Sequence, residues 1–213
     1  MPMQGRGSRG LRELKKSKQR ADLLSIAAQL FRIKGYESTR IEDIAARADV
    51  SEKTIYNYFA TKEKILIQLL TDDREKLTVA YEEVVRKPAQ DLALALARLM
   101  HADLGDVRSA EDKKLWRELL AAETRAHYRV EDEFESNRKT FMHYIRTMLV
   151  SFQKRGVLSK SLSLAVAVDM IYAIHTHDFL QFCARSSATQ EDVLRMAHKQ
   201  MTLLLAPWLA EDE

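Results

Sequence analysis

The sequence predicts an all-α protein, and three observations carry that reading. Among 213 residues only 6 are Gly and 3 are Pro, too few breakers for a chain of many short strands. Apolar residues recur at helical spacing in segment after segment, and no stretch alternates as a half-buried strand would. The segments are bracketed by capping residues at one end and Gly or Pro at the other.

The elements follow in order. Residues 1–10 are rich in Gly, Arg and Ser and are expected to be disordered, as the head of a basic arm spanning 1–15. A helix then runs to about Lys34, with Leu23, Leu24, Ala27, Ala28, Leu30 and Phe31 on one period, and Gly35 stops it. Thr39-Arg-Ile-Glu42 has capping-box spacing, with Thr39 as N-cap and Glu42 as its partner. The helix it opens, 40–47, buries Ile41, Ile44 and Ala45. After a break at Ala48–Val50, Ser51 caps a third helix from Glu52 to about Phe59, which buries Ile55 and Phe59. Thr61-Lys-Glu-Lys64 opens a fourth, continued by Leu66, Leu69 and Leu70 and ended by Pro88. Further helices are expected near 90–104, 109–126, 131–155, 161–184 and 189–206. Ser109 with Asp112 and Thr189 with Asp192 stand at cap spacing, and Gly156 and Pro207 act as stops.

Composition narrows the function classes. The single cysteine, Cys183, rules out an internal disulfide framework and suits a reducing cytoplasm. No apolar run reaches the roughly 18 residues of a membrane span, and the basic N-terminus lacks the apolar stretch of a secretory signal. Charge is uneven: residues 1–70 hold 14 Lys and Arg against 8 Asp and Glu, whereas the remainder is mildly acidic. A basic head on an acidic body points to a polyanion partner. The first 20 residues, with Arg6, Arg9, Arg12, Lys15, Lys16, Lys18 and Arg20, are either a solvated tail or a segment that tracks a nucleic-acid backbone.

The informative stretch is 39–64, where two helices of two turns are separated by three or four residues. Such short helices favour a steep crossing over a hairpin, which would bury little. Ala45 allows close approach, and Ile41, Ile44, Val50 and Ile55 fill the wedge. The second helix then turns Lys53, Thr54, Tyr56 and Asn57 outward, residue types that bond phosphates and base edges, on a rod narrow enough for a major groove.

The run from Thr39 to Glu63 resembles the DNA-binding domain of the tetracycline-repressor (TetR) family. The blocks Ile44-Ala-Ala-Arg-Ala-Asp-Val-Ser51 and Tyr56-Asn-Tyr-Phe-Ala-Thr-Lys-Glu63 carry the likeness, with Ala27, Phe31, Gly35, Tyr36 and Leu66 around them, over roughly residues 20–70. Two departures stand in the motif. Asp49 replaces a usual turn glycine, and aspartate tolerates a left-handed backbone better than most residues. Lys53 replaces a frequent glycine and adds a cation. The resemblance implies a three-helix DNA-binding domain over 16–70, with the helix-turn-helix inside it, and a helical ligand-binding and dimerisation domain over 71–213. It implies a double-stranded DNA operator, a homodimer, an unknown small-molecule effector, and a repressor released by that effector. By the same resemblance Thr39 and Lys62 contact phosphates, Tyr56 contacts phosphate or a thymine methyl, and Lys53, Thr54 and Asn57 reach base edges. Ser51 belongs to the same set but is better suited to capping, and Tyr58 and Phe59 to locking the third helix.

The C-terminal part is less legible. The resemblance implies that 161–184 and 189–206 pair with their mates in a four-helix bundle, and both are heavily apolar. An effector pocket lined by Trp116, Tyr128, Phe141, Tyr144, Met148, Met170 and His175 is the expectation, Met and aromatics being adaptable to apolar ligands. His175 and His177 cannot readily share a metal ion, since residues two apart on a helix point about 200° away from each other; His175 with Asp178 could, but the sequence offers no other Cys/His cluster to complete a site. A buried, hydrogen-bonded His175 is the better reading, and no metal or cofactor is expected. No nucleophile elbow, phosphate loop or HExxH is present, so an enzyme is not expected.

Overall fold

A computed structural model describes residues 6–125 and 131–209. Its described residues form nine α-helices and a closing 3-10 turn, and the one β-type pairing among them is an isolated bridge between Leu158 and Leu209. The chain divides into two compact units, Met1–Leu70 and Thr71–Glu213.

The first unit holds α1 (Arg6–Lys34), α2 (Ile41–Arg47), α3 (Glu52–Tyr58) and the start of α4 (Lys62–Arg86). The helix α1 reaches back to Arg6, through the stretch expected to be disordered. Two glycines, Gly7 and Gly10, are outweighed there by Leu, Arg, Glu and Lys, all good helix formers. Residues 12–19 nonetheless expose their side chains, and burial starts at Leu23 and Leu24. Gly35 ends α1 at φ 86°, with its N–H on the Phe31 carbonyl.

The cap of α2 differs from expectation by one residue. Arg40 is the N-cap, and its N–H donates to the Asp43 carboxylate at 2.9 Å. Thr39 is instead fully buried, its hydroxyl donating to the Gly35 carbonyl at 2.8 Å. The end of α2 is a Schellman turn: Val50 N–H reaches the Ala45 carbonyl at 3.0 Å, and Asp49 takes the left-handed position at φ 53°. Ile44 and Ile55, both wholly buried, fill the wedge between α2 and α3.

The second unit comprises the rest of α4 with α5 (Leu92–Ala102), α6 (Ala110–Arg125), α7 (Glu131–Lys154), α8 (Leu164–Ala184), α9 (Gln190–Leu205) and the turn Ala206–Trp208. Its middle is α5, which from Leu92 to Met100 buries every side chain except half-buried Leu94 and exposed Arg98, and which packs along α9 and α7. Ala93, Ala95 and Ala97 let neighbours approach closely, and Leu92, Leu96, Leu99 and Met100 supply about 1.5–3 kcal/mol of burial each. Asp91 caps α5 through the Leu94 N–H. Ser109 with Asp112 and Thr189 with Asp192 cap α6 and α9 reciprocally, as their spacing anticipates.

Candidate functional site

The short helix α3 is held rigidly on one side and open on the other. Ile55 buries its inner face, the Tyr58 hydroxyl donates to Gln19 of α1 at 2.8 Å, and the Arg20 guanidinium lies 5.5 Å from the centre of the Phe59 ring. Ser51 caps the helix by accepting the Thr54 N–H at 3.2 Å. Lys53 and Asn57 are exposed, and Tyr56 is 51% exposed. Thr54 is half-buried with its hydroxyl 3.0 Å from that of Ser51, so this pair serves the cap first and points outward second.

Two expected phosphate ligands are removed by the geometry. Thr39 has no exposed surface, and its hydroxyl is spent on α1. Lys62 donates all three ammonium protons to the carbonyls of Tyr36 (2.8 Å), Thr39 (3.0 Å) and Glu37 (3.3 Å), and sits over the Tyr36 ring. It clamps the loop between α1 and α2, because those carbonyls lie beyond the helix end and lack intrahelical donors. Arg40, next to Thr39, is exposed instead. Sequence reasoning missed it, although its charge and its position at the mouth of α2 were in view.

In the second unit most of the expected pocket residues come together, as an aromatic stack. The ring centres of Tyr144 and Tyr81 are 5.3 Å apart, those of Tyr81 and Phe141 5.3 Å, and those of Phe141 and His175 4.6 Å. Phe179 continues the stack to Trp116, edge to face at 5.1 Å. Met148 is buried in the same core. At its centre, His175 Nε2–H donates to Asp103 at 2.6 Å, and the Tyr81 hydroxyl donates to the other Asp103 oxygen. Asp103 and Tyr81 were not foreseen; they lie 72 and 94 residues from His175 in sequence, and no local pattern links them. Met170 is a correction: it is 47% exposed on the outer side of α8 and lines nothing internal, because α8 is apolar on both sides and periodicity cannot say which side faces in. Tyr128 lies outside the described residues. A groove of about 480 Å³ opens between α8 and α9, lined by residues from His177 to Gln200 and by none of the expected set.

A helical protein whose N-terminal unit holds a capped, outward-facing short helix across a second one defines the helix-turn-helix class. The description "Bacterial regulatory proteins, tetR family" matches residues 23–69. TcmR of Streptomyces glaucescens, an HTH-type transcriptional regulator, is 33% identical over 102 residues, covering 48% of this chain. The chain spans less than half, 44%, of that relative's length. Among solved structures, a TetR-family regulator from Mesorhizobium loti aligns with a TM-score of 0.69 at 18% identity, covering 91% of this chain and 98% of that one. FadR of Bacillus subtilis, solved in complex with stearoyl-CoA, aligns with a TM-score of 0.65 at 21% identity, covering 86% and 96%. Residues 23–69 thus carry the likeness to the tetR family of bacterial regulatory proteins, and the chain shares the all-helical fold of the solved TetR-family structures. No described helix is long and apolar enough to cross a membrane.

Proposed function

We propose that this chain is a sequence-specific DNA-binding transcriptional regulator, a cytoplasmic homodimeric repressor released from its operator by a small molecule. The observation that carries the reading is the exposed side of α3: Lys53, Tyr56 and Asn57 stand on a helix whose other side is locked to α1 and α2. Asn57 and Lys53 read base edges, Tyr56 contacts phosphate or a thymine methyl, and Arg40 neutralises a phosphate. Two half-sites require two copies. Val166, Met170 and Leu180 on α8 and Met196 and Leu203 on α9 are exposed apolar side chains that a second copy would cover. An effector bound in the second unit acts by linkage: a tenfold preference for the DNA-incompetent conformation, about 1.4 kcal/mol, weakens operator binding tenfold. That FadR was solved with stearoyl-CoA supports a small-molecule effector here.

The test is fluorescence anisotropy on duplexes selected from random DNA, repeated across salt concentrations and then with candidate metabolites. Affinity should fall steeply with salt. Asn57→Ala should relax sequence preference, and Arg40→Ala should weaken binding to all sequences and shallow the log–log salt slope by about one. Weak, salt-insensitive binding would sink the proposal.

A further inference from the structure

Asp178, on α8, is 8% exposed and lines the groove between α8 and α9. One of its carboxylate oxygens accepts from Gln200 Nε2 of α9 at 3.1 Å. The other, Oδ2, and Gln200 Oε1 are buried acceptors with no donor among the described residues. A buried carboxylate left half-bonded is costly, and a donor supplied from outside the chain relieves that cost. The nearby buried cation, Lys113, is already committed to the carbonyls of Arg185, Ser186 and Ala188. The groove also carries donors: His177, Gln181 and Arg185 are exposed along its lining, and none makes a side-chain hydrogen bond or ion pair among the described residues.

We infer that Asp178 pins the register of the homodimer by accepting a hydrogen bond from His177, Gln181 or Arg185 of a second copy of this chain. The inference rests on the homodimer proposed above. Two features select a second copy over a small ligand. The groove is flanked by exposed Leu180 and Met196, and the apolar surface continues along both helices to Val166, Met170 and Leu203. A small ligand would satisfy the acceptors and leave that surface in water. In an isologous interface one face meets itself, so a face with unmet acceptors must also present the donors, and this one does. A lone polar contact in an apolar helical interface fixes which residues face each other, where leucine and methionine tolerate sliding.

Sedimentation equilibrium of the full chain tests this. Asp178→Asn keeps the shape and the Gln200 bond but can place an N–H where an acceptor is required. It should raise the dimer dissociation constant at least tenfold while circular dichroism keeps its helical signal. One of His177→Ala, Gln181→Ala and Arg185→Ala should do the same and add far less than tenfold on top of Asp178→Asn. These three positions are exposed, so their variants decide the matter even if Asp178→Asn fails to fold. A wild-type dimer unaffected by Asp178→Asn, or by all three donor variants, overturns the pin alone. A wild-type chain that stays monomeric overturns the homodimer as well.

Discussion

The Lys62 ammonium donates to the Tyr36 carbonyl at 2.8 Å and lies 4.2 Å from the centre of the same residue's ring. Tyr36 in turn packs edge to face on Phe31 of α1, with ring centres 5.2 Å apart. One cation thereby ties the start of α4 to the loop that delivers α2. Lys62→Met keeps the apolar stem and removes three donors. It should destabilise the N-terminal unit by about 1–3 kcal/mol, the cost of withdrawing a charged donor from partly buried carbonyls. Urea denaturation followed by circular dichroism reads this directly. DNA affinity should fall only as the folded fraction falls, with the salt slope unchanged. A slope shallower by one unit in fully folded protein would return Lys62 to the phosphate.

Asp49 sits at φ 53°, the left-handed turn position between α2 and α3. An aspartate bears that conformation with modest strain, and glycine bears it freely. Asp49→Gly should therefore be neutral or stabilising, by up to about 1 kcal/mol. Asp49→Val, with a branched Cβ, should cost about 1–2 kcal/mol or more. Because the turn sets the angle of α3, the valine variant should also weaken operator binding in a thermal-shift and anisotropy series. Equal stability of the wild type and both variants would show that the turn is not strained.

The helix-turn-helix was readable from sequence because its signals are local: a glycine stop, a Ser51 cap, buried Ile44 and Ile55 at wedge spacing. What failed there failed by one residue or by one partner. Thr39-x-x-Glu42 and Arg40-x-x-Asp43 both have a carboxylate at N3, and the choice between them is made by burial of Thr39 under the end of α1. Lys62 was expected on a phosphate because nothing in the motif says that carbonyls 23–26 residues earlier will gather around it. The aromatic stack of the second unit was half legible. Composition picks out large adaptable side chains, but the Asp103–His175 pair joins two segments that only the packed fold brings together.

Acid should weaken the capped helix N-termini. Asp43 is held below the usual aspartate value of 3.8 chiefly by its bond from Lys34 and also by the Arg40 N–H. Asp192 is held below it by the N–H and hydroxyl of Thr189. A carboxyl whose folded pKa is depressed binds fewer protons folded than unfolded, so stability falls as pH falls. The contribution is full above about 3.8 and disappears as pH drops through the lower folded value. Asp192→Asn should therefore lower stability at pH 6 and lower it less at pH 2. Denaturation curves at the two pH values, with an NMR titration of the carboxyl carbons, measure both sides. An equal loss at both pH values would mean that the capping geometry, and not the charge, carries the effect.

Cys183 reports on the integrity of the second unit. It is 1% exposed near the end of α8, its carbonyl accepts from Arg117 of α6 at 2.6 Å, and burial pushes its thiol up to about 12. At pH 8 the native chain thus presents almost no thiolate, and the thiolate is the reacting species. A thiol reagent such as 5,5′-dithiobis(2-nitrobenzoate) should label native protein at least a hundredfold more slowly than protein in urea. The native rate should follow opening of α8 from α6. Arg117→Ala, which removes the tie without touching the sulfur, should speed labelling several-fold with little change in the urea-unfolded rate. If the native thiol reacts as fast as the unfolded one, α8 is not seated against α6 as described.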